Sequence, residues 1–172
     1  MKSDLKKMSF LIQNKKFTEA ISLLDNFNED EKKDSNYNFL KGISYLYLGK
    51  FKEAIENFDN AIKLKNDNAS FYFYRGYTFS KLYKFNKTKE NYAKAISLKP
   101  NSAELYNNLA GINYTNGENE ESIQNYLKSF ELNKNLKQSL IGLLNVLTQT
   151  NTSEINDSEI IKTHNDLKKI KI

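Results

Sequence analysis

Two periods are superposed in the hydrophobic pattern of this chain. The short one puts matching positions at i, i+4 and i+7, as one face of an α-helix requires. Asn38, Gly42 and Tyr45 follow it, and so do Ala54, Phe58 and Ala61. The long period is 34 residues and runs without a gap. Phe17, Phe51 and Phe85 fall in one column; Ala20, Ala54, Thr88 and Ser122 share a second; Leu24, Phe58, Tyr92 and Tyr126 share a third. Gly42 and Gly76 stack over Ala110. A fixed period of this size predicts an all-α solenoid of antiparallel helix hairpins, because one hairpin cannot bury its apolar face alone.

Within residues 35–68 the pattern predicts a first helix ending near Gly49 and a second from Phe51 to about Lys65. Small residues at Gly42 and Ala54 let the two backbones approach, while Tyr45 and Phe58 fill the space beside them. Residues 69–102 repeat the arrangement with Gly76, Phe79, Thr88, Tyr92 and Ala95. Pro100 closes that unit, since proline cannot continue a helix. Residues 103–136 repeat it with Tyr106, Ala110, Ser122, Tyr126, Ser129 and Leu132. The first unit, 1–34, departs most: Met8 stands in the glycine column, Phe27 in the alanine column, and a charged tail reads as a longer loop. Such an atypical terminal unit is expected as a cap. Residues 137–150 continue the frame as one more capping helix, with Leu140, Leu143, Leu144 and Leu147 as its stripe. The solenoid is thus expected over 1–150. A polar linker and a final helix carrying Ile160, Ile161, Leu167 and Ile170 are expected over 151–172.

Composition narrows the chemistry. Apolar residues make up 39% and charged residues 27%, a globular and not a disordered balance. There is no cysteine and one histidine, His164, so Cys–His nucleophiles and thiolate metal sites are excluded. The chain has no Gly-rich phosphate loop, and residues 28–34 lack the spacing of a calcium loop. We therefore expect no enzyme, cofactor or metal site. No stretch has the run of apolar residues that a membrane span or a signal-peptide core needs, which makes a cytoplasmic protein the expectation. The net charge of +5 is uneven. Residues 69–102 carry seven basic side chains against Glu90 alone, whereas residues 103–136 carry Lys128 and Lys134 against five glutamates.

The column pattern resembles the tetratricopeptide repeat (TPR) family over nearly the whole chain. The motif positions are an aromatic at 4 (Tyr72, Tyr106), a small residue at 8, an aromatic at 11 (Tyr45, Phe79), small residues at 20 and 27, an aromatic at 24 and proline at 32 (Pro100). Lys41 and Arg75 depart from the usual leucine of position 7, and Asn113 from the aromatic of position 11. The resemblance implies a right-handed superhelix of about four TPR units whose first helices line a concave groove. Carried onto this chain, its ligand-facing positions give Phe39, Ile43, Leu46, Tyr47, Phe73, Tyr74 and Tyr77, followed by Asn107, Asn108 and Tyr114. An aromatic-aliphatic floor with amides at one end would suit a peptide or protein segment. The positions where some family members clamp a C-terminal carboxylate read Leu5, Ser9, Leu40, Ser70 and Tyr74 in one frame, and Phe39, Ile43, Tyr74, Glu104 and Asn108 in the next. Neither frame has the cations such a clamp needs.

Three other readings compete with a peptide-binding scaffold. A chaperone for an apolar client, of the secretion or assembly type, would use the same floor. A second copy or the C-terminal segment could cover it. Nucleic acid could bind the Lys-rich stretch 81–99, although the following unit is acidic and argues against a continuous basic track.

Overall fold

The computed structural model describes residues 2–149, all helices and connecting turns; the expected helix over 157–172 lies outside the described residues. The chain divides into two compact units, one ending at Pro100 and the other beginning at Asn101.

The first unit holds α1 (Lys2–Gln13), α2 (Phe17–Ser22), α3 (Ser35–Tyr47), α4 (Phe51–Leu64), α5 (Ala69–Lys81) and α6 (Phe85–Leu98). Each odd-numbered helix pairs with the one that follows, and α3 also touches α1 and α5, so the first helices of successive hairpins form one layer. Two first helices are capped by side chains: Asp34 accepts hydrogen bonds from the backbone N–H of Asn36 and Tyr37, and Asn68 accepts one from Ser70. The helix-to-helix turns share one geometry. Lys15, Gly49 and Tyr83 all take positive φ, at 59°, 75° and 56°. The residue after each donates its N–H back to Leu11, Tyr45 and Phe79 respectively, which closes the first helix of each hairpin.

Volume is exchanged across each hairpin. Gly42 lies against the fully buried ring of Phe58, and Gly76 against Tyr92. In the first hairpin buried Met8 stands in the glycine column, and Leu24, in the column of Phe58 and Tyr92, packs against its cluster. That hairpin's second helix stops after six residues, continues as a 3₁₀ turn over Leu23–Asn26, and breaks. Phe27 explains the break: where α4 and α6 carry Ala61 and Ala95, its ring is instead buried and sits 4.9 Å from that of Tyr37. The acidic tail then forms a reciprocal cap. Asn28 Oδ1 accepts from the N–H groups of Asp30 and Glu31, and the Glu31 carboxylate accepts from the Asn28 N–H.

The second unit contains α7 (Ala103–Thr115), α8 (Asn119–Leu132) and α9 (Lys137–Gln149). Its turn repeats the same geometry, with Gly117 at φ 79° and the Glu118 N–H bonded to the Asn113 carbonyl. Two buried serines replace apolar contacts: Ser122 Oγ donates to the Ala110 carbonyl, and Ser129 Oγ to that of Ala103. Helix α9 packs Leu140, Leu143, Val146 and Leu147 onto α7 and α8. Its opposite side exposes Lys137, Gln138, Asn145 and Thr148, with Ile141 as the apolar exception. A polar outer face is what a terminal cap needs.

Candidate functional site

Helices α3 and α5 bring most of the expected groove residues together in the first unit. Their rings form a connected cluster. Phe39 lies 4.9 Å from Phe71 and 5.5 Å from Tyr74; Phe73 lies 5.2 Å from Tyr74, 5.4 Å from Tyr92 and 6.3 Å from Tyr77. Phe39, Phe73, Tyr74 and Tyr77 are each half-buried, so every one packs on one side and keeps surface on the other. Burial pushes the Tyr74 hydroxyl above the ordinary tyrosine range, with Tyr47 and Tyr77 contributing further. At the end of α5 the Lys81 ammonium stands 4.7 Å over the Tyr77 ring, a cation–π contact at the edge of the cluster.

The remaining candidates divide. Tyr47 is 51% exposed and stacks on Phe17 at 4.8 Å with the planes 12° apart. Ile43 and Leu46 are only 6% and 4% exposed and belong to the core of the α3–α4 hairpin with Ala54 and Phe58. In the second unit the three expected residues are already engaged. Asn107 Oδ1 accepts from the Ser139 hydroxyl at 3.2 Å, and Asn108 Nδ2 donates to the Glu104 carbonyl at 2.6 Å. The Tyr114 hydroxyl is hydrogen-bonded to the side-chain carbonyl of Gln149.

The charged departures from the repeat pattern have local explanations. Arg75 Nε donates to Asn91 Oδ1 at 2.8 Å and its Nη1 to Asp59 at 2.6 Å, while the guanidinium lies over Tyr72. It therefore ties α5 to α4 and α6. Lys87 and Lys94 lie over the rings of Phe79 and Tyr72, so part of the basic stretch is held on the protein's own aromatics. Asn113 is 4% exposed, and its Oδ1 has no hydrogen-bond partner.

One residue that pattern reasoning passed over is Tyr83. It occupies the left-handed turn position that is glycine at 49 and 117, and it is 78% exposed. The signal was in the sequence, as the one aromatic residue in a column that otherwise holds Lys15, Gly49 and Gly117. Among the described residues no cluster of three or more His, Asp or Glu side chains could hold a metal ion, and no helix is long and apolar enough to cross a membrane.

Comparison with known proteins agrees with this geometry. A family profile for the TPR repeat matches residues 42–82, and one for the tetratricopeptide repeat matches residues 103–136. No curated protein sequence matches the chain. Among solved structures it is similar to MamA, at 16% identity and a TM-score of 0.77, over 94% of this chain and 92% of that one. Pseudomonas aeruginosa pilF gives 15% identity and 0.79, over 86% and 68%. The first TPR of Spaghetti (RPAP3), bound to the HSP90 peptide SRMEEVD, gives 19% and 0.65, over 69% and 94%. At these identities the likeness is one of fold. With its columns, turns and paired helices in the same register, this chain belongs to the tetratricopeptide-repeat family.

Proposed function

We propose that this protein is a non-enzymatic interaction module that holds a peptide or protein segment against the α3–α5 face. A protein-interaction scaffold is the general role that the repeats support. The finer reading rests on one observation: Phe39, Phe73, Tyr74 and Tyr77 are half-buried neighbours on two adjacent first helices. Hairpin closure alone needs rings that are buried, as Phe58 and Tyr92 are. A row of rings that keeps one face in water supplies rigid contact area at little entropic cost, the property of interface hot spots. The Spaghetti structure holds an acidic peptide, but the cations of a carboxylate clamp are missing from this chain at the corresponding positions. Apolar contact is the primary determinant here. Asn107, Asn108 and Tyr114 lie in the second unit, where their polar groups already serve α7 and α9.

A random-peptide display library panned on the wild type and on Tyr77→Glu tests the proposal, with far-ultraviolet circular dichroism verifying that the variant stays helical. Peptides rich in apolar residues should be enriched on the wild type and lost on the variant. Enrichment that is absent, or unchanged by the substitution, would remove the site from this face.

A further inference from the structure

Tyr83 has no structural need to be a tyrosine. The equivalent turn residue has positive φ in all four hairpins, and in two of them it is glycine, which takes that conformation without strain. An aromatic residue there costs free energy that its burial cannot return, since 78% of it faces solvent. Among the described residues its one ring contact is edge-on with Phe85 at 6.3 Å. A strained conformation kept in the absence of a packing reward points outward, to a surface role.

The surroundings state the chemistry of the partner. Lys81, Lys84 and Lys87 flank the ring along the sequence, all exposed, and the first turn of α6 carries no acidic residue. Lys81 links this turn to the groove, because its ammonium lies over Tyr77. Neither α3 nor α5 contains an aspartate or glutamate. A ligand bearing carboxylates meets attraction at the turn and no repulsion along the face.

We propose that the Tyr83 turn is a second anchor for the segment bound at Tyr77, and that this segment belongs to a partner protein and carries acidic residues next to an apolar or aromatic one. The inference rests on the groove reading and adds the partner's charge and the residue that recognises it. Nucleic acid fits less well, because a strand needs a basic track with successive stacking platforms. Of the equivalent turns, those at 49 and 117 offer glycine and the one at 15 lysine, so none repeats the aromatic platform, and the last is followed by Glu118, Glu120 and Glu121.

Tyr83→Gly gives a test in which folding and binding move apart. The variant restores the residue found in the neighbouring turns, so its thermal midpoint should equal or exceed that of the wild type. The same display library, panned on wild type, Tyr83→Gly and Tyr77→Glu, gives the first readout. Acidic residues should be enriched among wild-type binders and should lose that enrichment on Tyr83→Gly, with the apolar preference retained. A labelled consensus peptide should then bind Tyr83→Gly and Lys84→Glu about tenfold more weakly by fluorescence anisotropy, with Tyr83→Phe near wild type. Apolar enrichment with no acidic preference, or affinity indifferent to Tyr83→Gly, would overturn the second anchor and leave the groove standing. No enrichment on the wild type would overturn both. Tighter, Tyr83-dependent binding of oligouridylate would assign the turn to nucleic acid, and Tyr83-dependent self-association in sedimentation velocity would assign it to a second copy; either result overturns the inference.

Discussion

Replacing Gly42 with alanine should destabilise the α3–α4 hairpin, although alanine is the better helix former. A Cβ at this position would stand 2.7 Å from Phe58 Cε1 and 2.8 Å from Cδ1, distances at which an atom must move. The Phe58 ring is fully buried and is itself flanked by Phe39 at 6.0 Å and Tyr74 at 6.3 Å, so it has nowhere to go. Forcing a methyl into a filled interior costs about 1–3 kcal/mol. Alanine returns about 0.5–1 kcal/mol of helix-interior stability relative to glycine. The two terms leave a net loss of about 0–2.5 kcal/mol, centred on about 1 kcal/mol, the packing term winning because the ring cannot move. Urea denaturation followed by circular dichroism reads the loss, and a double-mutant cycle with Phe58→Leu identifies its source. The leucine substitution is destabilising alone, by less than the roughly 3–5 kcal/mol of full truncation. It also removes the ring that the new methyl strikes, so the double variant should lose about 1 kcal/mol less than the two singles combined. Gly49→Ala is the control. It carries a backbone cost at φ 75° but has open space around it, so it should add to Phe58→Leu without coupling. Strict additivity for Gly42→Ala, or a gain in stability, would refute the claim that close backbone approach dictates this glycine.

Three further outcomes follow from the interior. Asn113→Leu should stabilise the protein by about 1–2 kcal/mol, because it removes a buried acceptor that has no partner, and a rise in the thermal midpoint checks it. Ser129→Ala should cost about 1–2 kcal/mol, since the Ala103 carbonyl loses its donor in a fully buried position; native-state hydrogen exchange in α7 and α8 should report the loss locally. Burial raises the tyrosine hydroxyls of Tyr74, Tyr92 and Tyr126 above the ordinary value of 10.0, so the folded state favours their neutral forms. That stability is fully present below pH 10 and is lost as pH rises through the folded values, giving an alkaline unfolding transition. Tyr92→Phe should change little at neutral pH and move the alkaline midpoint upward.

Much of the fold could be read from column identity alone. The helix ends near Gly49 and Phe51 follow from turn geometry, and the weakness of the first unit was visible in Met8 and Phe27. Periodicity did not reveal how the volumes would be exchanged: Leu24 makes room for Met8, whereas Phe27 leaves no room for a continuous second helix. The site was less legible, for a physical reason. Helix α3 is apolar almost all round, and a 3.6-residue period assigns residues to faces without saying which faces are covered. Ile43 and Leu46 share the groove-facing pattern with Phe39 and Tyr47, yet the first pair is buried in the cluster around Ala54 and Phe58, whereas Phe39 is half-buried and Tyr47 exposed. The resemblance carries ligand-facing positions onto Asn107, Asn108 and Tyr114, and amides and phenols suit peptides. Ser139 on α9, the Glu104 carbonyl of α7 and Gln149 on α9 suit them equally well.

The same ambiguity shapes what a repeat can do. Each hairpin must offer one apolar face to the next, and selection for tighter stacking and selection for ligand capture both add aromatic residues to first helices. The two demands separate where conformation opposes composition. A buried ring at position 24 accords with packing, propensity and burial at once. An exposed tyrosine held at positive φ accords with none of them, while glycine does the same backbone work at two of the equivalent turns and an aliphatic-stemmed lysine at the third. For this chain the resistance of a residue to a stability explanation is therefore better evidence of a binding role than its apolarity. On that criterion Tyr83 ranks above Ile43 and Leu46, although the family's groove positions include those two and omit Tyr83.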